Sequence, residues 1–348
     1  MIVQSLYIQE ILININEKIN STVVKANTID ELLQNCPDNE VIKESLIKAW
    51  VVINNDKYDK RLVCAISGGS DSDVMLDIVW RCDKDNKVDY VWFDTGLEYQ
   101  ATKDHLKYLE DRYGITIIKK RPKIPIPTSC KNYGEPFISK IASEFLYRLQ
   151  RHNFKWEDED FDTLYKRYPK CQSALQWWCN TNLTDNFNIR RNKYLKEFII
   201  QNNPTFKISN KCCKYAKKDL IHNLLKEEDY DLNIFGVRKA EGGARVRYGS
   251  CFDEGDNYDN FRPIFWYKDS DKEIYEKEYG IVHSKCYTEY GLKRTGCCGC
   301  PYGRDFEDEL EFIQEYEPKL YKAVTNIFKD SYEYTREYKK FRQNMENK

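Results

Sequence analysis

The sequence has no long apolar run and no excess of charge of either sign. No stretch approaches the roughly 18 apolar residues that a membrane-spanning helix needs, and the acidic N-terminal segment has no small-residue cleavage site of a signal peptide. The 55 basic and 56 acidic side chains give a formal net charge of -1, so we expect no global attraction to nucleic acid or membranes. These absences predict a cytoplasmic protein without a membrane partner.

The sequence also has no internal repeat and no low-complexity tract, and its number of cysteines is odd. Its 348 residues suffice for one large or two modest domains. The 13 cysteines are poorly explained by disulfides in a reducing compartment. Several of them cluster late in the chain, as Cys212-Cys213, Cys286 and Cys297-x-x-Cys300. Clustered thiols in an intracellular protein indicate metal or redox chemistry.

Apolar segments alternate with helical patterns from residue 61 onward. This alternation is typical of a parallel sheet with helices on both faces. We therefore predict an α/β fold with a doubly wound, mostly parallel sheet and helical N- and C-terminal extensions. Strands are predicted at 61–66, 89–93, 115–119 and 231–235, and helices at 1–20, 73–81, 101–113, 138–151, 187–202, 269–279 and 305–345.

The remaining segments set the predicted boundaries. Residues 121–134 contain three prolines and a glycine, which predicts a long loop. The predicted domain division is a helical extension at 1–58, a central domain at 59–303 and a helical tail at 304–348.

A polar loop follows the first predicted strand in RLVCAISGGSDSDVMLDI. Ligands of an open parallel sheet bind at the carboxyl ends of its strands. The glycine pair lets the backbone approach a ligand closely, and N–H groups at the start of the next helix form an anion nest. Asp71 is expected to hold Mg²⁺ or to cap that helix. The other interpretation is an ordinary capped turn. The loop consists of Ser67, Gly68, Gly69, Ser70, Asp71 and Ser72.

This loop lacks the lysine of a Walker loop and the GxGxxG spacing of a dinucleotide site. It resembles the SGGxDS loop of the PP-loop ATP pyrophosphatases, which have an adenine nucleotide alpha-hydrolase-like fold. The resemblance implies ATP, or an adenylylated molecule, with its phosphates on the loop. VWFDTGLEYQAT is similar to the DTG strand end of the phosphoadenosine/adenosine phosphosulfate reductase-like branch. The residues that this implies near the adenosine are Phe93, Asp94, Thr95 and Gly96.

A Gly- and Arg-rich segment, GVRKAEGGARVR, follows the strand predicted at 231–235. It supplies Arg238, Glu241, Arg245 and Arg247. In the same family a similar segment faces the nucleotide phosphates or sulfate, and guanidinium groups suit phosphate oxygens. The resemblance therefore implies catalytic roles for Asp71, Arg238 and Arg245, while the other interpretation of the segment is a solvated basic loop.

The late cysteines resemble those of the assimilatory adenosine-phosphosulfate reductases, in which a tandem pair and a later Gly-Cys-x-x-Cys hold a [4Fe–4S] cluster. NKCCKYAKK and GLKRTGCCGC match in type, order and approximate spacing. The implied ligands are Cys212, Cys213, Cys297 and Cys300. Cys286 is the reserve, because its spacing to Cys297 is similar to that in DNA phosphorothioation enzymes. A zinc site remains an alternative.

The resemblance ends after Cys300, since no cysteine follows to serve as the mobile nucleophile of sulfonucleotide reductases. We therefore expect an ATP-dependent adenylating enzyme that uses Mg²⁺ and an iron–sulfur cluster in sulfur transfer to a nucleic acid or small acceptor. One alternative is an adenosine phosphosulfate reductase that uses a thiol donor. Another is a non-catalytic nucleotide-binding subunit of a modification or defence complex. A sulfur-donor protein and an oligomeric state are further expectations.

Overall fold

A computed structural model describes residues 23–59, 61–303 and 305–347. The helix predicted at 1–20 lies outside these residues. The chain forms two compact units, which we name the sheet unit and the helical unit. The sheet unit comprises Met1–Asp94, Glu98–Lys120 and Leu220–Gly296. The helical unit comprises Thr95–Leu97, Arg121–Asp219 and Cys297–Lys348. The domain division at 58 and 303 stays a prediction.

Six strands form one sheet in the order β3-β2-β1-β4-β6-β5. All neighbouring pairs are parallel except β5 and β6. The order reverses between β1 and β4, so the carboxyl ends of these two strands flank a topological switch point. The strands are β1 (Arg61–Ile66), β2 (Val88–Phe93), β3 (Ile117–Lys120), β4 (Tyr230–Phe235), β5 (Phe252–Asp253) and β6 (Asp259–Phe261).

Helices make up most of the rest of the described chain. In chain order they are α1 (Ile29–Leu33), α2 (Glu40–Ile53), α3 (Ser70–Cys82), α4 (Gln100–Tyr113), α5 (Ile126–Tyr133), α6 (Lys140–Arg151), α7 (Phe161–Arg167), α8 (Gln172–Trp178), α9 (Leu195–Gln201), α10 (Lys211–Cys213), α11 (Asp219–Glu227), α12 (Asp269–Tyr279), α13 (Lys285–Thr288), α14 (Phe306–Tyr316), α15 (Pro318–Ile327) and α16 (Lys329–Glu346). A π-helical segment, Lys214–Lys218, joins α10 to α11. Short 3₁₀ turns lie at Pro169–Cys171, Asp185–Phe187, Ile189–Arg191, Lys239–Glu241 and Gly243–Arg247.

Helices cover both faces of the sheet, which confirms the predicted α/β class. On one face, Leu62 and Cys64 of β1 pack in a core with the apolar sides of α2, α3 and α4. On the other face, Val63 packs with Leu224 and Leu225 of α11. This alternation along β1 is the period-two burial of a strand that is covered on both sides.

The helical unit has its own aromatic core. Phe137 lies 4.9 Å from the Tyr334 ring of α16, and Phe145 of α6 stacks on Trp177 of α8 at 5.4 Å. These ring contacts hold the tail helix α16 against the middle segment. Among the described residues, no helix is both long and apolar enough to cross a bilayer.

The loop predicted at 121–134 is wrong over its second half, where α5 spans Ile126–Tyr133. Its prolines do not break the helix, because Pro125 is the residue before it and Pro127 lies in its first turn. The helix predicted at 187–202 begins only at Leu195, after Tyr194 in a left-handed conformation. The helix at 269–279 is confirmed at its predicted bounds.

Candidate functional site

A polar cavity of about 320 Å³ lies at the switch point of the sheet unit. The loop after β1 forms one wall, and Gly236 and Arg238, which follow β4, form another. We name this space the phosphate-loop cavity. Its charged lining residues are Asp71, Arg238, Glu241, Arg245, Asp269, Lys272, Lys293 and Arg294. Five of these are basic and three acidic, so the lining favours an anion.

The loop after β1 has the tight backbone expected of an anion site. Gly68 has a φ of 68°, and a Cβ there would stand 2.8 Å from Cγ2 of Thr102. A larger residue would therefore move the loop. The next helix, α3, begins at Ser70, so the polar residues themselves form its first turn.

Hydroxyl oxygens now accept the loop N–H groups. The N–H of Ser67 donates to Ser72 Oγ at 2.9 Å, and that of Gly69 donates to Ser67 Oγ at 3.3 Å. The N–H of Ser70 donates to the hydroxyl of Tyr287 at 3.2 Å. A neutral hydroxyl is a weaker acceptor than a phosphate oxygen. An incoming phosphate can therefore replace these oxygens without leaving an N–H group unpaired.

Asp71 lies between two cations in this cavity. Its carboxylate is 2.9 Å from Arg238 Nε and 2.9 Å from Lys272 Nζ. Arg238 also contacts Asp269 at 2.7 Å, and Lys272 donates to Ser70 Oγ at 2.6 Å. Burial alone would raise the pKa of Asp71, but Lys272 and Arg238 outweigh burial and lower it. Asp71 is therefore ionised at neutral pH and fixes two cations beside the loop.

The expected magnesium ligand set does not fit the cavity as it stands. Each lining carboxylate is already paired with a basic side chain: Asp71 with Lys272 and Arg238, Asp269 with Arg238, and Glu241 with Arg245 at 2.8 Å. A divalent ion would have to displace these cations, so we derive no step through it. The basic side chains themselves can offset phosphate charge.

A group of buried charged and polar side chains follows the same loop. The fully buried carboxylate of Asp73 on α3 lies 3.0 Å from His105 Nε2 and 2.8 Å from His283 Nδ1. His283 Nε2 lies 2.8 Å from Glu276 of α12. Burial alone would lower the pKa of His283, but Asp73 and Glu276 outweigh it and raise the pKa to about 9. His283 is therefore a cation that ties α12 to α3.

This cation predicts a pH dependence of stability. A raised folded-state pKa contributes stability that is fully present below the unfolded value near 6.5 and is lost as pH rises through about 9. We expect the wild type to lose up to roughly 3 kcal/mol of unfolding free energy between pH 6 and pH 10 relative to His283→Gln. Urea unfolding at both pH values measures it. His222→Gln, at an exposed position, is the control and should follow the wild type; equal pH dependence in His283→Gln would contradict the assignment.

A second group of functional side chains lies in the helical unit. Helix α10, which carries Cys212 and Cys213, packs against α5, which carries Cys130. The thiols of Cys130 and Cys212 interact directly, and Cys300 is near Cys213. The members of this group, which we name the cysteine cluster, are Cys130, Cys212, Cys213, Cys297 and Cys300. The four predicted ligands are thus brought together, with Cys130 as a fifth thiol.

The second cysteine pair lies on a constrained turn. Gly299 has a φ of 61°, and a Cβ there would stand 2.7 Å from the hydroxyl of Tyr332. That hydroxyl donates to the Gly299 carbonyl, and the Gly299 N–H donates to Glu309 at 3.0 Å. Helices α14 and α16 therefore hold the turn between Cys297 and Cys300.

Neighbouring thiols and burial raise the pKa of three members of the cysteine cluster, Cys212, Cys213 and Cys300. Contact with Cys130 and burial raise the pKa of Cys212, and Cys212 and burial raise that of Cys213. Burial and Cys297 raise the pKa of Cys300 to about 12. Lys140 and Lys217 act in the opposite direction on Cys213. Thiols of this kind ionise only when a cation replaces their protons.

The four predicted cysteines are not arranged as ligands of one metal ion. In the described part of the chain, no three His, Cys, Asp or Glu side chains are grouped as such ligands. A [4Fe–4S] cluster on these cysteines stays a prediction.

The four residues predicted near the adenosine are divided between the two units. Phe93 ends β2, and Asp94 follows it in the sheet unit. Neither residue lines the phosphate-loop cavity, and Asp94 pairs with Lys119 at 2.8 Å. Thr95 and Gly96 belong to the helical unit, where the hydroxyl of Thr95 donates to Cys297 Sγ at 3.7 Å. Contacts of this turn with adenosine stay a prediction.

The reserve ligand and the other predicted ligands belong to different units. Cys286 belongs to the sheet unit, where its buried thiol is 3.7 Å from Thr102 Oγ1. The four other predicted ligands belong to the helical unit.

Sequence reasoning missed several residues of both groups. Lys272 and Tyr287 contact the loop although they are more than 200 residues away in the sequence. Local sequence patterns do not predict such contacts. The basic pair Lys293-Arg294 was visible in GLKRTGCCGC, but the cysteines alone were read from that segment. Cys130 had no cysteine neighbour in sequence to single it out.

Part of this chain is similar to proteins of a known family. The family model described as the phosphoadenosine phosphosulfate reductase domain matches residues 61–176. An uncharacterized protein of Methanocaldococcus jannaschii is 25% identical over 278 residues, which cover 79% of this chain and 43% of that protein. Adenosine 5′-phosphosulfate reductase 1 of Bacillus subtilis is 28% identical over 91 residues, which cover 26% of this chain and 38% of that enzyme.

The chain thus spans less than half the length of these curated relatives. Among solved structures, the U34-tRNA thiolase NcsA of Methanococcus maripaludis with its [4Fe–4S] cluster is similar at a TM-score of 0.37 and 15% identity, covering 87% of this chain and 79% of that one. The domain match and the sequence relatives confirm the resemblance seen in the motifs. Residues 61–176 thus match the phosphoadenosine phosphosulfate reductase domain, and part of the chain is similar to adenosine 5′-phosphosulfate reductases.

Proposed function

We propose that this protein is an ATP-dependent adenylating enzyme that activates an acceptor oxygen for replacement by sulfur. The observation that carries the proposal is the phosphate-loop cavity. There, hydroxyl oxygens that a phosphate could replace accept the loop N–H groups, and five basic side chains line the switch point of a parallel sheet. In this proposal Ser67–Ser72 hold the phosphates of ATP.

The residues of the cavity have distinct roles in this reaction. Arg238 and Lys272, held by Asp71, oppose the negative charge on the phosphates. The acceptor oxygen attacks the α-phosphorus, the bond to the β-phosphate oxygen breaks, pyrophosphate leaves, and the acceptor proton passes to solvent. Arg245, which also lines the cavity, would compensate charge on the departing pyrophosphate in this proposal. A sulfur nucleophile from a donor then forms a bond to the acceptor carbon and displaces AMP.

The cysteine cluster supports the sulfur part of the proposal. Four cysteines with the sequence spacing of iron–sulfur ligands belong to one unit, and neighbouring thiols and burial raise the pKa of three of them, Cys212, Cys213 and Cys300. We propose that they hold a [4Fe–4S] cluster, with Cys286 outside the ligand set.

A second candidate is an adenosine phosphosulfate reductase, because the B. subtilis relative is such an enzyme. In that reaction a thiolate would attack the sulfur of the substrate, release AMP and leave a thiosulfonate, from which a second thiol would release sulfite. For this candidate we propose Cys130, whose thiol contacts that of Cys212, as the internal thiol.

One experiment separates the two. Anaerobically purified protein is incubated with ATP and RNA, DNA or small oxygen acceptors, and pyrophosphate is measured; in parallel, adenosine phosphosulfate and a dithiol are supplied and sulfite is measured. We expect acceptor-dependent pyrophosphate release and no sulfite. Tight binding of adenosine phosphosulfate with sulfite release, and no cleavage of ATP, would favour the reductase instead. Asp71→Asn should lose most pyrophosphate release, because Arg238 and Lys272 lose their shared anchor.

A further inference from the structure

The helical unit contains a groove of about 240 Å³ that no motif explains. Its walls are the end of α5, one side of α6 and the segment at Lys207, and it is lined by Asn132, Tyr133, Tyr147, Gln150, Arg151 and Lys207. We name it the tyrosine groove. It belongs entirely to the helical unit.

The frame of the groove is held by backbone and amide hydrogen bonds. Gln150 donates to the Phe206 carbonyl at 2.8 Å and accepts from the Ile208 N–H at 2.8 Å. The N–H of Glu135 donates to the Lys207 carbonyl at 2.8 Å. Both hydrogen-bonding groups of the Gln150 amide are thus used in the frame, and the ligand contacts are left to the aromatic and basic side chains.

Tyrosine rings and basic groups alternate along this surface. Tyr133 packs on Tyr215 with ring centroids 5.1 Å apart. The amine of Lys211 lies 5.1 Å from the centre of the Tyr147 ring, and that of Lys214 lies 5.6 Å from the centre of the Tyr215 ring. Exposed cation–π pairs of this kind contribute little, about 0.5–1 kcal/mol. A planar ligand can therefore replace the amines on the ring faces.

Basic side chains in and beside the groove are not engaged in ion pairs. Arg151 and Lys207 line the groove, and Lys211 and Lys214 lie over neighbouring tyrosine rings. In the described part of the chain, no carboxylate lies within ion-pair distance of these four side chains. Four uncompensated cations around aromatic faces form a surface that is complementary to a chain of phosphates with planar bases.

The groove also adjoins the cysteine cluster along two helical segments. Tyr133 follows Cys130 by three residues on α5, and Tyr215 follows Cys212 by three residues in α10 and the π-helical segment. Residues three apart lie on the same face of a helix. The Tyr133–Tyr215 pair therefore lies one turn from the Cys130–Cys212 pair, and π-helical segments frequently occur at functional sites.

We infer that the tyrosine groove binds a single-stranded nucleic acid, with a base stacked on Tyr133 or Tyr147 and phosphates on Arg151, Lys207, Lys211 and Lys214. The inference rests on the proposed function in one respect only: it identifies the bound strand as the acceptor of that reaction. An acidic peptide would use the cations but not the tyrosine faces, so the stacking surface favours nucleic acid.

The test is fluorescence anisotropy of labelled single-stranded RNA and DNA oligonucleotides with the full-length protein. The double variant Tyr133→Leu/Tyr147→Leu should bind about 5- to 150-fold more weakly, while Tyr133→Phe/Tyr147→Phe keeps the rings and should bind like the wild type. Lys211→Gln/Lys214→Gln should reduce the slope of log affinity against log salt by about 1.4. Lys193→Gln is the matched control, because its amine also lies over a tyrosine, at 5.0 Å, but is paired with Glu346.

Three results would overturn the inference: no binding of single strands by the wild type at low salt, unchanged binding by the leucine variant, or equal competition by polyglutamate. Circular dichroism of each variant checks that it is folded. If the leucine variant does not fold, the salt slope of Lys211→Gln/Lys214→Gln still tests the inference, and an unchanged slope would contradict it. ATP binding is measured on the same samples. Oligonucleotide binding without ATP binding would contradict the proposed function alone, and ATP binding without oligonucleotide binding would contradict this inference alone.

Discussion

Arg238→Gln should lower the affinity for ATP by about 10- to 150-fold and reduce pyrophosphate release with it. Only 8% of Arg238 is exposed, and its guanidinium joins Asp71 to Asp269 at 2.9 and 2.7 Å. A hydrogen bond to a charged group contributes about 1.5–3 kcal/mol. The neutral amide of glutamine would also leave Asp71 with one cation instead of two beside the phosphates. Calorimetry with a non-hydrolysable ATP analogue measures the loss.

Two variants control this result. Arg247→Gln removes an exposed guanidinium from the same segment that does not line the phosphate-loop cavity, so its ATP affinity should stay near that of the wild type. Arg238→Lys keeps the charge but loses the forked guanidinium that reaches two carboxylates. Its affinity for ATP should lie between those of Arg238→Gln and Arg247→Gln. If Arg238→Gln bound ATP as tightly as Arg247→Gln, the cavity would not be the phosphate site.

The position of this cavity could be predicted from sequence because its main parts follow strands directly. The loop after β1 and the Arg238 segment after β4 both come at the end of an apolar strand, and parallel strands bring their carboxyl ends to one edge. The strand positions needed only local patterns of apolar and turn residues. The neighbouring order of β1 and β4 is a tertiary property, and the sequence gives no direct measure of it.

The chemistry of Asp71 shows where such prediction stops. A carboxylate at the start of a helix is equally consistent with a metal ligand, a cap or an ion pair. The structure distinguishes them because it brings Lys272, from α12, to within 2.9 Å of the carboxylate. Cys130 is a similar case: it became a neighbour of Cys212 only because prolines at the start of α5 permit a helix where a loop was expected.

Cys297→Ser/Cys300→Ser should remove most of the iron and acid-labile sulfide from anaerobically purified protein. A [4Fe–4S] cluster that loses two thiolate ligands has only Cys212 and Cys213 left of the four implied by the motifs. Metal analysis and the visible charge-transfer absorption measure this loss. The control is Cys171→Ser, a buried cysteine of the same unit that donates to the Arg148 carbonyl at 3.8 Å and is not part of the cysteine cluster.

The same variant should also melt at a lower temperature, and this effect tests whether the cluster is structural. Ligands that bind only the folded state stabilise it, and the thiols of Cys212, Cys213 and Cys300 lose their protons only to a metal. An iron chelator should therefore lower the Tm of the wild type and of Cys171→Ser but not that of the double variant. Cys286→Ser should keep its iron, because Cys286 lies beside Thr102 in the sheet unit. If Cys286→Ser lost its iron while Cys297→Ser/Cys300→Ser kept it, the ligand set would have been assigned to the wrong thiols. If the wild type contained zinc and no iron, a zinc site would replace the proposed [4Fe–4S] cluster.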